Sequence, residues 1–202
     1  MIAVVNYGMG NLGSVKNAFD YIGVESYVSA NPDKLSGADA LVLPGVGAFG
    51  DAMDNLRSCG LENTVLNHID SGKPFLGICL GLQMLFKSSA ENPGVKGLGV
   101  LGGTVEKFSP NMGLKIPQIG WNSIVTKPNM PLLDEYDGNY MYFVHSYYAK
   151  PINMEEFSVK TVYGLEFTSA VEYKNITACQ FHPEKSGKAG LAILKKWTDL
   201  NL

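Results

Sequence analysis

The apolar residues of the first half come in short unbroken runs. Residues 2–6, 40–43 and 74–78 each form one, bounded by Gly, Pro or polar residues. Runs of this length without alternation fit strands buried on both faces, as in a parallel sheet covered by helices. Between them the spacing turns helical: residues 15–22 carry an apolar stripe, a short strand is expected near 25–28, and 80–86 read as a helix. Past Gly102 the runs shorten and Pro, Asn and Gly turns multiply. Residues 104–108, 140–144, 158–163 and 176–181 read as strands, and a closing helix covers about 188–200. The pattern predicts an α/β three-layer sandwich whose central, mostly parallel sheet is extended by antiparallel strands. No repeat or Pro/Gly/Ser-rich linker divides it, so residues 1–202 are expected to form one domain.

A chain of 202 residues, 46% hydrophobic, can bury a sizeable core. A net charge of -3 offers no basic field, so neither nucleic acid nor an anionic membrane is an expected partner. Three cysteines without a C-x-x-C pair fit neither a disulfide framework nor a zinc ribbon, and point to a reducing compartment, the cytoplasm. The first residues lack a basic signal region and no apolar run is long enough to span a membrane. No metal is expected, because no histidine pair has ligand spacing and an acid-rich cluster is lacking, and no cofactor is expected either.

The candidate nucleophile lies in Gly77-Ile78-Cys79-Leu80-Gly81, between an apolar strand and a helical pattern. This is the cysteine form of a nucleophile elbow: the glycines allow a sharp strand-to-helix turn in which backbone approaches backbone. A helix start supplies unpaired N–H groups that favour thiolate and can hold an oxyanion. A buried structural cysteine explains the same five residues equally well when they are taken alone. Cys59, before Gly60 at an apparent helix end, and Cys179, on the strand face opposite His182, read as structural.

A thiol acting on an amide needs a proton shuttle. Of the three histidines, His182 has the best context. In Gln180-Phe181-His182-Pro183-Glu184 it ends an apolar strand, and Pro183 favours extended backbone, in which His182 and Glu184 share a face. The carboxylate can then fix the imidazole tautomer. His68 reads as a partly exposed helix residue, and His145 as a strand end that could line a pocket without a carboxylate beside it. Gln83, one helical turn past Cys79, leans back toward it and could reach a bound substrate.

Taken in order, Tyr7-Gly8-Met9-Gly10-Asn11-Leu12, Pro44-Gly45-Val46-Gly47, the elbow with Gln83, Gly120-Trp121-Asn122, His145-Ser146-Tyr147 and Gln180 to Glu184 closely resemble the triad-type (class I) glutamine amidotransferases, specifically the glutaminase subunits of imidazole glycerol phosphate synthase. The resemblance implies that Cys79 attacks the glutamine carboxamide, His182 protonates the departing ammonia and Glu184 holds His182. It implies oxyanion donors near Gly45 or Val46 and at Leu80, and a grip on the substrate's amino-acid end by the Ser146 and Tyr147 backbone. It further implies a heterodimer with a (β/α)8-barrel cyclase subunit that makes imidazole glycerol phosphate and AICAR in histidine biosynthesis. Tyr142, Lys185, Trp121, Asn122, Gly8 and Asn11 match positions that face that partner. The subunit would rest nearly idle until the partner is loaded, with glycines 45 and 47 permitting the oxyanion loop to reorient.

Competing readings remain at the level of sequence. Gly8-Met9-Gly10-Asn11-Leu12-Gly13 fits a dinucleotide fingerprint, but no acidic residue ends the second strand to grip a ribose. Gln118 stands where the histidine-pathway family usually has histidine, which leaves open a paralogous subunit feeding a sugar-amidinating partner in surface polysaccharide synthesis. A DJ-1/PfpI-type hydrolase shares the elbow but lacks the Pro-Gly-Val-Gly loop and the His-Pro-Glu ending. A silent glutamine-sensing subunit is the last alternative.

Overall fold

The computed structural model describes residues 1–128 and 130–202. Its elements run β1 (Ile2–Val5), α1 (Leu12–Tyr21), β2 (Ser26–Ser29), α2 (Pro32–Ser36), β3 (Ala40–Gly45), α3 (Phe49–Ser58), α4 (Glu62–Asp70), β4 (Phe75–Cys79) and α5 (Leu80–Met84). Then follow β5 (Gly103–Lys107), β6 (Gln118–Ser123), β7 (Tyr140–His145), β8 (Tyr147–Pro151), β9 (Ser158–Tyr163), β10 (Leu165–Tyr173), β11 (Ile176–Cys179) and α6 (Gly187–Asn201). The main sheet has the order β2-β1-β3-β4-β11-β10-β8-β5, with β9 also pairing β10. Pairing is parallel from β2 to β11 and antiparallel beyond. β6 and β7 form a separate antiparallel ribbon.

The unbroken apolar runs have the cause the pattern implied. Along β1, Ala3 and Val5 join the core under α3 and α4, while Ile2 and Val4 join the one under α1 and α6 with Phe19 and Trp197. Both faces of these strands are dry, so both sets of alternate positions must be apolar. Helix α1 starts three residues before the sequence expectation because Asn11 caps it, its side chain accepting from Ser14 N. β11 stops at Cys179, two residues short of the expected end, and β3 continues through Pro44 to Gly45. The sequence reading did not anticipate β6, β8 or the nine-residue β10. β10 is polar in places yet central, and its Thr168 and Ser169 are buried. Among the described residues no helix is long and apolar enough to cross a membrane.

This topology delivers the carboxyl ends of β3, β4 and β11 side by side, Gly45 pairing with Cys79 and Cys179 with Ile78. Side chains just past those ends share one edge of the sheet, where open α/β folds bind ligands.

Candidate active site

Cys79 closes β4 with φ 56° and ψ -105°, a left-handed conformation that costs a non-glycine residue free energy and persists only when its surroundings enforce it. The enforcement is local. A Cβ on Gly81 would lie 1.9 Å from the Leu43 carbonyl oxygen, and one on Gly77 would press on Gly81 and Ala178. Both flanking glycines are therefore required by backbone contact. Leu80 begins α5, so its N–H has no partner within the helix and is available beside the sulfur.

His182 sits just beyond β11, its N–H donating to Tyr142 O at 2.9 Å. Its Nδ1 donates to Glu184 Oε1 at 2.8 Å, and both side chains are almost fully buried. The pair does not meet through extended alternation as the sequence reading supposed. His182 is extended, but Pro183–Lys185 is one 3-10 turn that folds Glu184 back. Ser186 locks this turn: its hydroxyl donates to His182 O and accepts from Tyr142 N. Burial alone would lower the imidazole pKa, but the Cys79 sulfur and then the Glu184 carboxylate outweigh it, raising the value to about 10. Nε2 has no well-aligned protein partner, although the sulfur is close enough to favour the imidazolium. We expect Glu184→Gln, which keeps shape and removes the charge, to lower kcat/KM for glutamine by about 10²-fold or more. Steady-state glutamate release checks this.

Cys79 and His182 line one cavity of about 350 Å³, which Val46, Gly47, Leu80, Gln83, Glu91, Pro117, Val144, His145, Ser146 and Tyr147 complete. Of the expected catalytic, oxyanion and substrate residues, all but Glu184 and Gly45 line it; Glu184 reaches the cavity only through its bond to His182, and Gly45 ends β3 just before Val46. Gly45 is not a hinge, however. It lies in β3, and a Cβ there would sit 2.7 Å from the Tyr7 hydroxyl and 2.8 Å from Leu80 Cβ. Conformational freedom rests with Gly47, at φ 98°.

Opposite the sulfur, the turn at Ser146 and Tyr147 is held by its carbonyls. Ser146 O accepts from Phe108 N at 3.1 Å. Tyr147 O accepts from His145 Nδ1 at 2.8 Å and from Gln83 Nε2 at 3.0 Å. Gln83 gives its second amide hydrogen to Gln180 Oε1 at 2.9 Å, which leaves its own Oε1 as the polar atom to offer a ligand. Because Nδ1 of His145 faces a carbonyl, it carries the proton, and Nε2 presents a lone pair. Burial among Phe108, Phe143 and Phe167 depresses the pKa of His145 to about 4, opposed by the Tyr147 hydrogen bond and aided by His182. The unfolded chain binds this proton near pH 6.5 and the folded one only near 4, so stability is full above 6.5 and falls with pH between them. From pH 7 to pH 5 this group removes about 2 kcal/mol. Urea unfolding at the two pH values should show His145→Asn less acid-sensitive than the parent by about that amount.

Two site residues were assigned no role from sequence. Glu91, in an irregular loop, lines the cavity while its Oε2 accepts from Phe49 N at 2.8 Å, capping α3 from outside. Gln180 is fully buried and donates from Nε2 to Cys79 Sγ at 3.6 Å. Its place in an apolar strand end was the available hint. His68 is corrected: it is buried, its Nε2 facing Pro74 O at 3.1 Å, because α4 packs that side on the sheet.

The expected partner-facing residues divide. Trp121 and Tyr142 stack edge-to-face on the outer surface of the β6–β7 ribbon, and Ile119 and Tyr140 extend this exposed apolar band beside the cavity. Lys185 and the Gly8 to Asn11 turn are also at the surface. Asn122 is on the inner face, where its amide donates to Val162 O at 2.9 Å. In the fingerprint-like turn, Gly10 packs on Pro44 and the start of α1 is taken by Asn11, while β2 ends on Ser29 without a carboxylate. Among the described residues no cluster of three potential metal ligands occurs.

Residues 3–199 match the family model described as glutamine amidotransferase class-I. The chain is 51% identical over 200 residues to imidazole glycerol phosphate synthase subunit HisH of Methanothermobacter thermautotrophicus, covering 99% of this chain and 98% of that protein. It is 42% identical to imidazole glycerol phosphate synthase hisHF of Arabidopsis thaliana, where 98% of this chain covers 34% of the plant protein. A solved structure described as a glutamine amidotransferase superposes with a TM-score of 0.75 at 22% identity, covering 98% of this chain and 100% of the other.

Proposed function

The chain belongs to the class-I glutamine amidotransferases, and within them to the imidazole glycerol phosphate synthase HisH subunits, and on that premise we propose that it hydrolyses glutamine at Cys79 and passes the ammonia to a synthase partner in histidine biosynthesis. The observation that carries this reading is the strained elbow cysteine sharing a cavity with His182, whose Nδ1 is held by the buried Glu184 carboxylate. The sulfur attacks the carboxamide carbon, and the oxygen takes the negative charge facing Leu80 N–H and the Gly45-Val46 segment. Collapse of this intermediate breaks the C–N bond as His182 Nε2 delivers a proton, releasing ammonia and leaving a glutamyl thioester. Water, losing a proton to His182, then hydrolyses the thioester and restores the thiol. Glu91 supplies a carboxylate for the substrate's ammonium group, and the fixed Ser146-Tyr147 turn receives its carboxylate end.

Ammonia released into water would be mostly protonated, so it is best consumed by a docked partner. The apolar band of Ile119, Trp121, Tyr140 and Tyr142 beside the cavity mouth suits a barrel-shaped cyclase subunit, with Lys185, Gly8 and Asn11 at its margin. The 34% coverage of the plant protein leaves room in that chain for such a second part. Residues 1–202 would act as one amidotransferase domain in the cytoplasm. Gln118, which suggested a different acceptor, is buried against His145 on the inner face of the ribbon, away from the docking band. Its substitution changes packing rather than the partner surface, and the near full-length identity to HisH subunits disfavours the polysaccharide alternative.

The test is a coupled assay with the cyclase subunit and its acceptor. Glutamine should drive imidazole glycerol phosphate formation only with both chains present, and glutamate release without any product would contradict the pathway. Trp121→Ala should weaken association about 30-fold, as for an aromatic anchor, leaving the triad intact. Titration calorimetry with the partner reads this directly.

A further inference from the structure

We propose that Gln180 is a positioning residue that aims the Cys79 sulfur and, through Gln83, ties it to the turn at Tyr147. The inference rests on Cys79 being the nucleophile. Gln180 lies in Ala178-Cys179-Gln180-Phe181, a sequence otherwise suited to a dry core, and is completely buried. A buried amide is costly unless its hydrogen bonds are made, so its presence needs a use. Its backbone is fixed, Gln180 N donating to Ser169 O at 2.8 Å.

The direction of the chain of hydrogen bonds follows from one end. Tyr147 O can only accept, so Gln83 must turn its NH₂ toward it. The second hydrogen of that NH₂ points to Gln180, which must answer with its oxygen. Gln180 can therefore present only N–H to the sulfur, and it does so at 3.6 Å. An N–H donor favours the charged over the neutral sulfur and restricts the rotamer that carries it. Gln180 does not touch the substrate cavity, so it acts through Cys79. The same line of amides runs from the nucleophile to the carbonyl that anchors the Ser146-Tyr147 turn, so both halves of the site are held in one register.

The test is the pH profile of Cys79 alkylation by iodoacetamide in the full chain, resolved by peptide mass spectrometry so that exposed Cys59 is counted separately. Gln180→Leu should slow alkylation at pH 7 about tenfold, the size of one charge-assisted hydrogen bond, and leave the high-pH plateau unchanged. Gln180→Glu keeps the shape and the bond from Gln83 but sets a carboxylate oxygen against the sulfur, so its profile should move upward at least as far. A merely structural role would change the plateau or the melting temperature without moving the profile. Profiles superimposed on the parent in both variants would overturn the proposal, and if the leucine variant does not fold, the glutamate variant decides alone. Survival of glutamate release in Cys79→Ala would instead remove the nucleophile reading, whatever the Gln180 profiles show.

Discussion

Cys79→Ala is expected to lower glutamate release from glutamine at least about 10³-fold, while ammonium salts still sustain product formation by the partner. The size of the effect follows from what is removed. The sulfur is the atom that forms the covalent intermediate, and the oxyanion donors, His182 and the cavity cannot replace it. Nor can the other thiols. Cys59 is exposed at the end of α3. Cys179 is buried with its sulfur toward Phe181 O, and burial, with Glu184 and Cys79 near it, holds its thiol well above the ordinary range. The ammonium arm shows that the partner's own chemistry is intact, so that the loss lies in the supply of ammonia. Glutamate release within tenfold of the parent would place the chemistry elsewhere.

Gly81→Ala carries the largest expected cost in stability, about 4 kcal/mol or more, together with loss of glutaminase activity. The added Cβ would stand 1.9 Å from Leu43 O, which belongs to β3, the strand leading into the oxyanion segment. A backbone carbonyl in a sheet interior cannot step aside without breaking its ladder, so either α5 lifts away or β3 shifts. Each movement disturbs the site, the first displacing Leu80 N–H and the second Gly45 and Val46. Urea unfolding with a glutaminase assay measures both, and a shift in stability below about 1 kcal/mol would show that the elbow has slack the close packing denies.

The legible part of this molecule is the part in which one residue type has few physical alternatives. The β4 run, the two glycines and Cys79 together specify a strand, a sharp turn and a helix, and the structure has all three, adding a strained backbone angle at Cys79. The double-sided apolar runs likewise imply covered parallel strands. Legibility failed where partners distant in sequence decide. β10 is a central strand because β11, β9 and β8 pair with it, though Thr168 and Ser169 within it are polar. Glu91 reaches the cavity because its carboxylate caps α3, some 42 residues away in sequence. His182 and Glu184 were paired correctly for an incomplete reason, since a 3-10 turn rather than strand alternation brings them together. Gly45 read as freedom and is instead close packing against Tyr7 and Leu80.

The claim on which the account turns is that glutamine passes through a thioester on Cys79. Acid quenching of the partner-bound chain during turnover, followed by peptide mass spectrometry, tests it without inference from rates. The predicted result is a glutamyl adduct on the peptide holding Cys79, removed by hydroxylamine and missing from Cys79→Ala. Glutamate release accompanied by an adduct on Cys59 or Cys179, or by no adduct on Cys79 at any quench time from the first turnover to steady state, would contradict it.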